Sequence, residues 1–87
     1  VIIRDSAIDA ICHGAPLAVP GILQVETGIK VNDIVAIFSK KGELVAIGKA
    51  LMRSEEMVSS KKGIAVKTTQ VLMSPGTYPS MWKKAVR

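Results

Sequence analysis

Turn-forming residues cut this chain into pieces too short for a long helix. Gly14, Pro20-Gly21, Asn32-Asp33, Lys41-Gly42, Gly48 and Gly63 punctuate the apolar runs. The runs themselves are rich in β-branched residues: Val1–Ile3, ILQVE, IVAIFS, ELVAIGKALM and IAVKTTQVLM, the last carrying two strand-like stretches. Apolar runs bounded by turn residues read as strands. Nowhere does a strand alternate with a long helical run, so βαβ units and a dinucleotide-binding fold are excluded. Short strands remove their exposed edges by closing on themselves, which predicts a mostly β, mostly antiparallel, partly closed barrel. At 87 residues the chain is one domain, 1–87.

Local signals refine this outline. Asp5 or Ser6 can accept the free N–H groups of a first helical turn, so a helix is expected to start there. Ile8, Ile11, Cys12 and Ala15 recur at helical spacing as its apolar face, with Asp5, Asp9 and His13 on the wet face. Gly14 is expected to end the helix. Pro20-Gly21 marks a turn or bulge, Lys41-Gly42 a hairpin, and Gly48 a bulge or barrel corner. Ser54 is the expected cap of a short helical turn in SEEMVSS. Near the end, Pro79 occupies a possible first helical position, with Tyr78 and Trp82 four residues apart.

Several chemistries are excluded by supply. The chain has one cysteine, so no internal disulfide forms, which fits a reducing compartment. Cys12 and His13 alone cannot make a structural zinc site, and no metal or cofactor is expected. As helix neighbours these two point apart, so they are no nucleophile–base pair. Cys12 is expected to be a buried structural thiol. There is no GxxxxGK or GxGxxG phosphate loop. No apolar run approaches the roughly 20 residues that span a bilayer. The start at Val1 rather than Met points to a domain taken from a longer protein.

Charge is lopsided. Residues 1–48 carry four bases and five acids, whereas residues 49–87 carry eight bases and two acids, a sum of +6 within a net +5. Either the basic half meets a polyanion, or it is a solvated lysine-rich surface. Only Phe38, Tyr78 and Trp82 are aromatic, too few for the base-stacking sheets of RRM-like or OB-like modules. Gly14-Ala15 and Pro20-Gly21-Ile22 flank Leu17-Ala18-Val19. They make either a cap, a connection and a bulge without a ligand, or a shallow groove floored by Leu17, Ala18 and Ile22. Such a groove is suited to unpaired bases.

Nearly end to end, the chain resembles the PUA domains of dyskerin-type pseudouridine synthases, relatives of the bacterial TruB enzymes. The resemblance rests on DSAIDAICHGAPLAVPGI, VNDIVAIFSKKGELVAIGKALM, EEM followed by KGIAVK, and TYPSMW. It implies a PUA-like pseudo-barrel of five to six short strands with two short helices. It also implies an RNA face formed by the first helix, the glycine loop after it and the final strand region. In that family this face grips the ACA end and adjoining stem of a box H/ACA guide RNA. By position, the implied RNA-binding residues are His13, Gly14, Ala15, Leu17, Ala18, Pro20 and Gly21, then Lys49, Met52, Tyr78, Pro79 and Trp82. The family's catalytic aspartate lies in a separate preceding domain and nothing here matches it, so no isomerase activity is expected of this chain alone. The implied partners are guide RNA, the parent's catalytic domain and other H/ACA proteins. The isolated domain is expected to be monomeric and to bind no membrane. The DAIC and TYP wording resembles eukaryotic members, implying nucleus and nucleolus, or cytoplasm for an archaeal parent. Competing expectations are the PUA domain of another RNA-modifying enzyme, a tRNA- or rRNA-binding protein, and a module whose small-residue groove takes a peptide.

Overall fold

The computed structural model describes residues 1–78. In chain order they form β1 (Ile2–Ile3), α1 (Asp5–Cys12), β2 (Leu17–Ala18), a 3-10 turn (Val19–Gly21), β3 (Ile22–Gln24), β4 (Ile34–Phe38), β5 (Leu44–Ala50), α2 (Ser54–Ser59) and β6 (Ile64–Val71). One six-stranded sheet runs in the order β2-β6-β5-β4-β1-β3. All pairings are antiparallel except β1 with β4. The two edge strands, β2 and β3, are joined by the single 3-10 turn. The sheet therefore curls back on itself and leaves one seam, giving the mostly β, partly closed barrel expected.

Ile3, Ile8, Ile11, Leu17, Ile37, Val45 and Val66 fill its interior. α1 packs against β5 and β6, burying Ile8, Ile11 and Cys12. β6 is one eight-residue strand rather than two runs. The register steps from Ile47↔Gln70 to Gly48↔Thr68, so Thr69 is an extra residue, and its hydroxyl donates to the Ile47 carbonyl at 3.1 Å. Gly48 is required by close approach: a Cβ there would sit 2.5 Å from Val66 Cγ1 and 2.6 Å from the Lys67 carbonyl oxygen.

Three local expectations are corrected. α1 starts at Asp5, with Arg4 as its N-cap and no side-chain cap. β1 ends at Ile3, so Arg4 is the only hinge residue. Its N–H donates to Gly21 O at 2.8 Å and its carbonyl accepts Ala7 N–H at 3.0 Å. Ser54 opens α2 but does not cap it. Its hydroxyl donates to Glu26 O at 2.7 Å and accepts Ile29 N–H at 2.8 Å, clasping the turn after β3. The cap is the Glu56 carboxylate, which accepts Arg53 N–H at 3.0 Å. Asp9, assigned to the wet face, is buried, because the segment after β6 covers that side of α1: Gly76 N–H donates to Asp9 Oδ1 at 3.2 Å.

Candidate nucleic-acid interface

The end of α1 is built as a Schellman cap. Gly14 N–H donates to Ile11 O at 2.8 Å and Ala15 N–H to Ala10 O at 3.0 Å. Gly14 has φ +90° and no atom within 4 Å of where a Cβ would stand. Glycine is thus demanded by conformation, and the loop top is open. His13, exposed on this loop, donates its Nδ1–H to Asp9 O, 2.8 Å away, with Asp9 Oδ2 at 3.5 Å. Asp9 so links the helix end to the segment following the last strand.

β2 carries the loop onto β6, with Leu17 opposite Val66. Thr68 Oγ1 donates to Ala15 O at 2.8 Å. Strand alternation then turns Lys67 to the outer face. Lys67 is the cross-strand partner of Lys49, and Lys49 of Ile34. All three are exposed, Ile34 to 68%. Among the described residues neither lysine has an acidic partner within 4 Å. Like charges placed opposite one another repel, so this pair favours an anion across it. The Gly14 loop is thus tied to β6 through Thr68, and the exposed Lys67–Lys49 pair begins at the next residue of that strand, on its outer face. From sequence Lys67 was one of several possible phosphate partners in the basic half, and Thr68 was not singled out. The Val66-Lys67-Thr68 alternation is the signal that turns Lys67 outward and Thr68 toward the loop.

The expected trough between the two glycines does not exist as an open groove. Leu17 is 1% exposed and belongs to the core, so its side chain is withdrawn from any ligand. At Gly21 a Cβ would meet Ala7 Cβ at 3.1 Å and Leu17 Cδ1 at 3.3 Å; this glycine lets α1 approach the 3-10 turn. Ala18 and Ile22 are half-buried, and exposed Pro20 sits toward the seam, beside Arg4. Met52 packs over Gly63 at the start of β6. Tyr78 stands at the β4–β5 hairpin, its hydroxyl donating to Glu43 Oε1 at 2.5 Å. Pro79 and Trp82 lie outside the described residues.

Burial, and then the Asp9 carboxylate, push the Cys12 thiol up, so it stays protonated and unreactive. Among the described residues no three His, Cys, Asp or Glu side chains cluster as metal ligands. No helix among them is long and apolar enough to cross a membrane.

A small β pseudo-barrel with a capped helix, an open glycine loop and a basic strand pair is the architecture of a PUA module. The PUA domain family model matches residues 1–72, and the chain belongs to that family. It is 56% identical over 85 residues to the probable tRNA pseudouridine synthase B of Pyrobaculum arsenaticum, covering 98% of this chain and 26% of that protein. It superposes with a TM-score of 0.93 and 54% identity on a chain from the structure of an H/ACA RNP bound to a substrate RNA containing 2'-deoxyuridine, covering 94% of this chain and 26% of that one. A chain from the archaeal box H/ACA sRNP Nop10-Cbf5 complex matches with a TM-score of 0.88 and 51% identity, over 90% of this chain and 25% of that one. The chain therefore spans about a quarter of the length of these relatives. A eukaryotic source, expected from the DAIC and TYP wording, gains no support from these archaeal matches.

Proposed function

We propose that this PUA domain binds RNA, holding the single-stranded ACA end and adjoining stem of a box H/ACA guide RNA. Its parent is then a guide-dependent pseudouridine synthase of the TruB family, with the uridine isomerisation carried out by a preceding catalytic domain. The parent would assemble with other H/ACA proteins and, being archaeal in its relatives, work in the cytoplasm.

The observation that carries this reading is the open Gly14 loop, tied through Ala15 to Thr68 of β6, with the exposed Lys67–Lys49 pair at the adjoining position of the sheet. Bare backbone beside two cations suits an unpaired strand whose bases lie at the loop and whose phosphates cross the sheet. The likeness to a chain of an RNA-bound H/ACA particle supports it. His13, Gly14, Ala15, Lys49 and Lys67 form the contact surface in this proposal. Tyr78, Pro79 and Trp82 are further contact residues in this proposal.

Fluorescence anisotropy with a hairpin carrying a 3′ ACA tail tests it. Binding should exceed that of a scrambled tail and weaken with salt, at a log–log slope of about −0.7 for each single-strand phosphate contacted. Equal affinity for the two tails would remove the specific reading.

A further inference from the structure

We propose that the barrel's seam is a docking slot for an extended segment of a partner protein. A hollow of about 410 Å³ lies along it. One wall is Ile22, Leu23, Gln24 and Val25. These are consecutive residues, whereas the face of a strand would supply alternate ones, so the hollow follows the edge of β3. Among the described residues β3 pairs on one side only, with β1, and its outer backbone edge faces the slot. The opposite wall is α2, through Met57 and Val58. Leu23 is 41% and Val58 76% exposed across this gap, apolar surface that no other element of the described fold covers.

The ends of the slot differ in charge. Arg4 and Lys61 stand among its lining. Through Val25 and Val58 it continues into a second hollow, of about 350 Å³, lined by Glu55 and by Glu26, whose Oε1 accepts the Val1 ammonium at 2.8 Å. An open β edge, an aliphatic middle and opposite charges at the ends together specify a strand of polypeptide. It would carry an acidic residue toward Arg4 and Lys61, alternating aliphatic residues at Leu23 and Val58, and a basic residue toward Glu55. Added strands bind by main-chain hydrogen bonds and read alternate side chains. RNA is disfavoured because the middle of the slot is aliphatic and the Glu55 carboxylate repels phosphate. A second copy is disfavoured because its own β3 lies behind its own α2. The slot is separate from the Gly14 loop, so it does not depend on the RNA reading.

Random octapeptides displayed on phage, selected on the 87-residue chain, test this. Acid–aliphatic–x–aliphatic–base sequences should be enriched. The best synthetic peptide should shift backbone amide resonances at residues 22–25 and 57–61. Leu23→Glu and Val58→Glu, both at exposed positions, should each weaken it by at least about tenfold while leaving ACA-hairpin binding unchanged. Methylating the peptide's pairing amides should abolish binding. The proposal is overturned if no sequence is enriched, or if the methylated peptide binds equally. It is equally overturned if the shifts fall at the Gly14 loop, if the ACA hairpin competes for the slot, or if the chain dimerises through it.

Discussion

Two glycines that look alike in the sequence do two different jobs. Gly14 holds a left-handed cap in open space, so Gly14→Ala should cost about 1 kcal/mol from conformation alone. Gly14→Glu should fold at a similar cost yet lose ACA-hairpin binding, since it sets a bulky anion on the loop; anisotropy on thermally checked protein decides this. Gly21 fills a helix-packing contact, so Gly21→Ala should lower stability by about 1–3 kcal/mol through overpacking. Its RNA affinity, measured well below Tm, should be retained. Gly14 was legible because a glycine closing an apolar helical period is a C′ residue whatever surrounds it. Gly21 and Leu17 were not legible as core. Whether a small residue opens a groove or admits a neighbour depends on which element lies against it, here Ala7 of α1.

Among the elements, turns hold the barrel through side chains whose roles the sequence did not show. Ser54, predicted as a cap, instead ties α2 to the turn after β3 through two hydrogen bonds. Ser54→Ala should leave Ile29 N–H unsatisfied and cost about 1–3 kcal/mol, read by chemical denaturation. The β4–β5 hairpin was placed correctly by Lys41-Gly42, yet buried Ser39 organises it. Its hydroxyl accepts Lys41 N–H at 3.2 Å and Glu43 N–H at 3.1 Å. Hydrogen bonds from Tyr78 first, and then Ser39, hold the Glu43 carboxyl below its ordinary 4.5. A carboxyl whose folded pKa is lowered stabilises fully above its ordinary value and ceases to do so as pH falls through the lower folded value. Tyr78→Phe should therefore lower Tm at neutral pH, and the gap to the parent should close well below pH 4.5.

For the whole molecule, charge placement separates two surfaces that the composition merged into one basic half. Lys49 and Lys67 lie on the sheet beside the glycine loop, whereas Lys61 lines the seam. The double variant Lys49→Ala/Lys67→Ala should flatten the salt dependence of ACA-hairpin binding by about 1.4 in log–log slope, 0.7 for each phosphate lost. Lys61→Ala should leave that slope unchanged. By itself the sequence determined the class of fold, because turn residues and β-branched runs act over a few neighbouring positions and need no tertiary partner to be read. It also determined the capped end of α1 and the net positive charge. Only the tertiary structure decided which small residues are open and which are packed, that Lys67 stands opposite Lys49, and that β3 keeps a free edge. Those facts depend on strand register and on where the curling sheet stops short of closing, and both are set by contacts between residues far apart in the chain.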